Sequence, residues 1–165
     1  MSEVKIQKVA FIDRDGVINK KAAPHHYICR IEDVIFNPGI EDLLHQLEQD
    51  GYALIVVTNQ RGIARRHLTE QTLEDIHTFM RMTLAKKGIT IAAILYCPHE
   101  KDVCNCRKPA PGLLQQAFEK FHFIKKESII VSDSYEDIAM GLEFGLKAGW
   151  LCTVDRPLQY RVYGS

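Results

Sequence analysis

Short apolar runs recur along the chain without a polar position inside them: Val9-Ala10-Phe11-Ile12, Leu54-Ile55-Val56-Val57, Ile91 to Tyr96 and Ile129-Ile130-Val131. A strand with one face in water alternates apolar and polar side chains, so runs lacking that alternation predict strands covered on both faces. Between them the apolar spacing becomes that of a helix. Ile40, Leu43, Leu44 and Leu47 fall at i, i+3, i+4 and i+7, and Gly51 supplies a stop. Thr69 predicts the N-cap of a longer helix with Leu73, Ile76, Met80 and Leu84 on one face, closed by Gly88. Pro111 opens another with Leu114, Ala117, Phe118 and Phe121 on it. A further helix is expected around Ile138 to Leu142, and Trp150-Leu151 begins a short last strand.

Buried strands alternating with helices predict an α/β fold, a doubly wound, mostly parallel sheet with helices on both faces. In such folds ligands bind beyond the carboxyl ends of the strands. Each apolar run here gives way to polar residues: Asp13 and Asp15 after the first, Thr58 and Asn59 after the second, Cys97 to Lys108 after the third, Asp133 and Asp137 after the fourth. These clusters are expected to converge on one site.

Length and composition narrow the picture. A chain of 165 residues without a repeat or linker predicts one domain over residues 1–165. Lys+Arg and Asp+Glu are both 21, so the net charge is zero, which removes the attraction a non-specific nucleic-acid binder relies on. No stretch approaches the ~20 apolar residues of a membrane span, and MSEVKIQKVAF holds no signal-like run, so the cytoplasm is expected. Three of the five cysteines (Cys97, Cys104 and Cys106) sit together, which without an export signal favours metal binding over disulfides.

Asp13 and Asp15 flank one residue at a strand-to-loop turn, and Asp133 adds a carboxylate from another strand. Such carboxylates repel one another unless a hard cation sits among them, and Mg²⁺ suits an all-oxygen set. That cation would let a carboxylate attack phosphorus; Lys108 would cancel further charge, and Thr58 with nearby N–H groups would bind phosphoryl oxygens. Singly, Asp-x-Asp-Gly reads as a turn, Thr58-Asn59 as a strand terminus and Ser132-Asp133-Ser134 as a helix cap. Their order at successive strand ends favours the joint reading. Cys97-x-His99-x₄-Cys104-x-Cys106 supplies four ligands that close a tetrahedral Zn²⁺ site, leaving no position for a reacting water, so its role is structural. Cys29 and Cys152 read as ordinary thiols, and His25 and His26 as loop residues.

Phe11-Ile12-Asp13-Arg14-Asp15-Gly16-Val17-Ile18-Asn19, Val57-Thr58-Asn59-Gln60, Cys106-Arg107-Lys108-Pro109 and Ser132-Asp133 with Asp137 resemble the four motifs of the haloacid dehalogenase superfamily of phosphatases. The likeness runs from about Val9 to Val154. It implies that Asp13 is a nucleophile forming an aspartyl-phosphate, and that Asp15 protonates the leaving alcohol and then activates water. Thr58 and Lys108 would hold the phosphoryl group, with Asn19 and Asn59 also among the substrate-binding residues. Mg²⁺ would be held by the carboxylates of Asp13 and Asp133 and the backbone carbonyl of Asp15, and Zn²⁺ by Cys97, His99, Cys104 and Cys106.

The length leaves no room for a separate cap domain, so short loops must choose the substrate. Gly62-Ile63-Ala64-Arg65 and Tyr27 to Gly39 resemble the heptose-bisphosphate branch, which implies a small sugar-bisphosphate substrate. Arg107 and Arg65 would grip its second phosphate; the plainer reading of Arg65 is a solvated pair with Arg66. Ser132 and Ser134 stand where the family usually has Gly and Lys. Histidinol-phosphate phosphatase is the near relative, and the Gly62 to Arg65 run argues against it. A zinc-stabilised binding module is the alternative from another class, but clustered carboxylates would repel a nucleic-acid backbone. A monomer without a nucleic-acid or membrane partner is expected.

Overall fold

The apolar runs become strands because both of their faces are buried. In a computed structural model that describes residues 5–152 and 159–163, the chain runs β1 (Val9–Ile12), α1 (Ile40–Gln49), β2 (Ala53–Asn59), α2 (Glu70–Ala85), β3 (Ile91–Cys97), α3 (Gly112–Phe121), β4 (Ile129–Ser132), α4 (Tyr135–Phe144), β5 (Lys147–Cys152) and β6 (Gln159–Tyr163). The sheet order is β3-β2-β1-β4-β5-β6. All neighbours pair in parallel except β5 with β6, so the expectation of a mostly parallel sheet holds.

Ala10, Ile12, Leu54, Val56, Ile129 and Val131 pack on one side of the sheet, against Leu43, Leu44 and Leu47 of α1 and Leu73, Ile76 and Met80 of α2. Val9, Phe11, Ile55, Val57 and Ile130 pack on the other, against Leu113, Leu114 and Ala117 of α3 and Ile138 and Met140 of α4. Successive residues of one strand thus feed different cores, and burying each large side chain contributes about 1.5–3 kcal/mol. Gly141 lets α4 lie directly on β4: a Cβ there would sit 2.2 Å from Ile130 Cγ2.

The helix limits follow their caps. Thr69 Oγ1 accepts the Thr72 N–H at 3.1 Å, and Gly51, at φ +87°, turns the chain just beyond α1. β5 begins at Lys147, earlier than the Trp150 expected, because pairing with Ile129 to Ser132 recruits a stretch with no apolar run of its own. Among the described residues β6 pairs with β5 alone; its Gln159-Tyr160-Arg161-Val162 alternates polar and apolar over too few positions to stand out beside the continuous apolar runs. The Cys152 side chain and Val154 lie outside what is described. Among the described residues no helix is long and apolar enough to cross a membrane.

Sheet order is what positions the site. From β1 the chain winds outward through β2 and β3, and from β4 it winds the other way through β5. The carboxyl ends of β1 and β4 therefore flank the reversal, where a crevice opens in this class of sheet.

Candidate active site and metal loop

β1 delivers Asp13, and the chain then folds back at once. The Gly16 N–H donates to the Asn19 carbonyl at 2.7 Å and the Ile18 N–H to the Arg14 carbonyl at 2.9 Å. Gly16 sits at φ +94°, a conformation costly for any residue with a side chain. The turn holds Asp13 and Asp15 near enough for the charge of Asp15 to be felt at Asp13.

Lys108, from the loop after β3, donates from Nζ to Asp13 Oδ1 at 3.0 Å and to Asp137 Oδ2 at 3.1 Å. Its backbone is clamped to the end of β2: the Lys108 N–H donates to Asn59 Oδ1 at 2.9 Å, and Asn59 Nδ2 donates back to the Lys108 carbonyl at 3.1 Å. Asn59 thus aims the lysine. Ser132 Oγ donates to Asp137 Oδ2 at 3.0 Å and accepts the Ser134 N–H at 3.1 Å, so the serine at this position steadies the carboxylate that steadies Lys108. Burial pushes the Asp13 carboxyl up to about 6, against the pull of Lys108. Burial also opposes the charge on Lys108, but Asp13 and Asp137 outweigh it and hold the ammonium above its ordinary range.

Asp15 is gripped from several sides. Its Oδ1 accepts Arg14 Nε at 3.1 Å, Arg14 Nη2 at 2.9 Å and Asn19 Nδ2 at 2.9 Å. Its Oδ2 accepts Arg14 Nη2 at 3.0 Å and Gln60 Nε2 at 3.0 Å. Gln60 Nε2 also donates to Thr58 Oγ1 at 2.9 Å, tying the carboxylate to the end of β2. Asn19 is fully buried, so its amide serves Asp15 and does not line the opening.

Asp133, at the end of β4, is half-buried and its carboxylate has no hydrogen-bond donor among the described residues. A carboxylate left unmatched at the carboxyl end of β4, the strand paired with β1, suits a hard divalent cation. With the Asp15 carboxylate already engaged, the backbone carbonyl is the ligand Asp15 would offer.

Cys97, His99, Cys104 and Cys106 bring their ligand atoms within 4.8 Å of one another, and among the described residues no other such group of His, Cys, Asp or Glu occurs. Cys97 Sγ lies 3.4 Å from His99 Nδ1 and 3.5 Å from Cys104 Sγ; Cys106 Sγ lies 3.2 Å from His99 Nδ1 and 3.6 Å from Cys104 Sγ. The edges of a tetrahedron around Zn²⁺ are roughly 3.5–3.8 Å at ordinary bond lengths, so the donor set fits. None of these cysteines is in a disulfide. Burial pushes the Cys106 thiol up to about 12, whereas at Cys104 the N–H groups of Arg107 and Cys106 overcome the effect of burial and bring it down to about 6.

This loop is tied to its surroundings at both ends. A Cβ on Gly112 would meet the Asn105 carbonyl oxygen at 2.3 Å, so α3 starts hard against it. Glu100 accepts Arg61 Nη1 at 3.1 Å and Arg65 Nε at 3.0 Å, which binds the loop after β2 to the cysteine loop and holds Arg65 away from a free role. Hydrogen bonding from Arg65 depresses the Glu100 carboxyl to about 2. Arg107 Nη1 is buried with no hydrogen-bond partner among the described residues.

Sequence reasoning assigned no role to Gln60, Arg14, Glu100 or His77. One signal was available: His77 shares the apolar face of α2 with Leu73, Ile76, Met80 and Leu84, where a polar residue is out of place.

A model of the family described as polynucleotide kinase 3 phosphatase matches residues 8–140. The chain is 37% identical over 158 residues to the D-glycero-alpha-D-manno-heptose-1,7-bisphosphate 7-phosphatase of Photorhabdus laumondii, covering 91% of this chain and 85% of that protein. It is 35% identical over 156 residues to the D-glycero-beta-D-manno-heptose-1,7-bisphosphate 7-phosphatase of Escherichia coli K12, covering 90% and 80%. Among solved structures it resembles the D,D-heptose 1,7-bisphosphate phosphatase of B. bronchiseptica, complexed with magnesium and phosphate: TM-score 0.78, 31% identity, 86% of this chain and 79% of that one. Likeness of this extent places the chain in the haloacid dehalogenase superfamily, as a phosphatase of its heptose 1,7-bisphosphate 7-phosphatase family.

Proposed function

We propose that this phosphatase removes the 7-phosphate of D-glycero-D-manno-heptose 1,7-bisphosphate through an aspartyl-phosphate on Asp13. The observation that carries the reading is Lys108 Nζ, 3.0 Å from Asp13 Oδ1, at the switch point of a sheet whose relatives bear that activity in their names. A carboxylate Oδ of Asp13 attacks phosphorus while the bond to the departing alcohol oxygen breaks, and Asp15 gives that oxygen a proton. Asp15, now a carboxylate, takes a proton from water as the water oxygen attacks phosphorus; the acyl-phosphate bond breaks, freeing Asp13 and inorganic phosphate. Lys108 offsets charge on the moving group, while Thr58, buried at the end of β2, holds Gln60 through its Oγ1. Mg²⁺, held by the carboxylates of Asp13 and Asp133 and the carbonyl of Asp15, would supply the remaining charge neutralisation between two anions. Arg107, half-exposed in the chain next to Lys108, is suited to the second phosphate.

The test is phosphate release from both anomers of the heptose 1,7-bisphosphate, from the two monophosphates and from histidinol phosphate. The bisphosphate should be preferred over histidinol phosphate by about 100-fold or more in kcat/KM, since an unmatched arginine penalises a substrate lacking the second phosphate. Equal or better turnover of histidinol phosphate would reassign the substrate. Turnover of none of them with Mg²⁺ present would favour a binding module.

The Cys97–Cys106 loop we read as a Zn²⁺ site that fixes Arg107 and Lys108 in place. Stripping the metal should lower the melting temperature by about 10 °C and reduce activity in parallel, with Zn²⁺ restoring both. Unchanged melting and turnover in the stripped protein would refute that role.

A further inference from the structure

We infer that Arg14 and His77 form a buried positioning pair that fixes the carboxylate of Asp15 for proton transfer, an inference that rests on the reading of Asp15 as acid and base. Arg14 comes directly after the nucleophile, yet it is only 1% exposed. Burying a guanidinium costs several kcal/mol unless its donors are matched, so a turn residue of this kind is expected only where its fork is used. It is used in two directions. Nε and Nη2 hold both oxygens of Asp15, which sets the plane of the carboxylate as well as its position. Nη1, on the far side of the same planar group, lies 3.1 Å from His77 Nε2.

Arginine has donors and no acceptor, so His77 Nε2 must offer its lone pair and the ring proton sits on Nδ1. Burial, reinforced by the charge of Arg14, holds His77 down at about 3, so the imidazole is neutral and free to accept at neutral pH. His77 is 4% exposed on the core face of α2, and its ring lies 6.0 Å from that of Tyr96 on β3. The pair therefore runs from packed secondary structure to Asp15, whose own loop is only a turn. Asn19 and Gln60 complete the cradle without reaching the core of α2. Losing the His77 end leaves Arg14 one anchor, and an ångström of drift in a proton-transfer group costs on the order of 100-fold in rate.

Two substitutions on the Mg²⁺-loaded protein test this. His77→Leu keeps the volume and removes the acceptor; His77→Gln keeps an acceptor within reach of Nη1. With the heptose bisphosphate, His77→Leu should lower kcat by about 100-fold with KM within about threefold, and His77→Gln should regain at least about tenfold of the loss. In a first turnover with a nitrophenyl phosphate, whose leaving group needs no proton, phenol release by His77→Leu should fall by less than about threefold. Arg14→Met, which removes the fork and keeps an apolar stem, should give the same contrast between substrates, and does so independently of how His77→Leu folds.

Turnover within twofold of the parent in His77→Leu, equal losses in the Leu and Gln variants, or equal losses with both leaving groups would each overturn the pair. Asp15→Asn separates the two levels. Retained turnover there overturns the acid–base reading itself. Turnover lost there, beside an unimpaired His77→Leu, overturns only the positioning pair.

Discussion

Asp13→Asn is expected to abolish phosphate release, lowering turnover by at least about 10⁴-fold, the scale of loss when a hydrolase is deprived of its covalent nucleophile. The fold should survive. Asparagine matches the shape of the side chain, and the neighbouring ammonium of Lys108 keeps its second partner, Asp137 Oδ2 at 3.1 Å. Burial already disfavours the Asp13 carboxylate, which is why its carboxyl lies near 6. A neutral amide in that place therefore removes a desolvation penalty as well as an ion pair, and the melting temperature of the metal-free protein should be at or above that of the parent. Two measurements check this. Acid-quenched parent, mixed with substrate and Mg²⁺, should carry one added phosphoryl group on the peptide containing Asp13, and the variant none. Parent-level turnover by the variant, or a phosphoryl group on another residue, would rule out the covalent route proposed here.

Lys108→Met comes next in size, and it should damage both activity and stability. Methionine keeps the length and apolar stem but removes the charge from the transferring phosphoryl group, a loss on the order of 10²–10³ in kcat. It also leaves Asp13 and Asp137 near each other without a cation. Breaking one side of a buried charge cluster costs about 3–5 kcal/mol, which for a chain of this size lowers the melting temperature by about 10 °C. A second substitution separates the effects. Lys108→Met with Asp137→Asn should recover most of the melting temperature, because only one buried carboxylate remains, and none of the activity. Recovery of both would show that the lysine serves the fold alone.

The fold was legible because a two-sided sheet writes itself into continuous apolar runs. Val9 to Ile12 and Leu54 to Val57 could be read as buried strands without knowing which residue served which core. β6 could not, since its alternation of Gln159, Tyr160, Arg161 and Val162 is too short to mark a strand without the neighbour it pairs with. The site divided along a similar line. Residues proposed to meet the substrate or a metal have chemistry that shows in their type, so Asp13, Asp15, Lys108 and the cysteine–histidine cluster were conspicuous as strings of letters. Residues that hold those groups in place do not. Gln60 is an ordinary amide after a strand until its Nε2 is seen to bridge Thr58 and Asp15. Arg14 reads as a solvated turn residue, because nothing in the neighbouring letters shows that its partner arrives from α2, sixty-three positions later. Contacts at such separations are set by topology, and local pattern is silent about them.

The ion-paired trio of Arg61, Arg65 and Glu100, on the loops that follow β2 and β3, has a consequence for encounter. Two guanidinium groups share one carboxylate there, so the trio keeps a surplus positive charge. The molecule as a whole has none: its formal charge is zero, and its far field draws no anion from a distance. Attraction of a doubly phosphorylated sugar is then confined to the last Debye length, about 8 Å at physiological ionic strength. Added salt should accordingly raise KM for the bisphosphate while leaving kcat nearly unchanged, and Glu100→Gln, by enlarging the surplus, should steepen that dependence. A KM indifferent to salt would mean that capture is governed by contact within the crevice and not by the field at its edge.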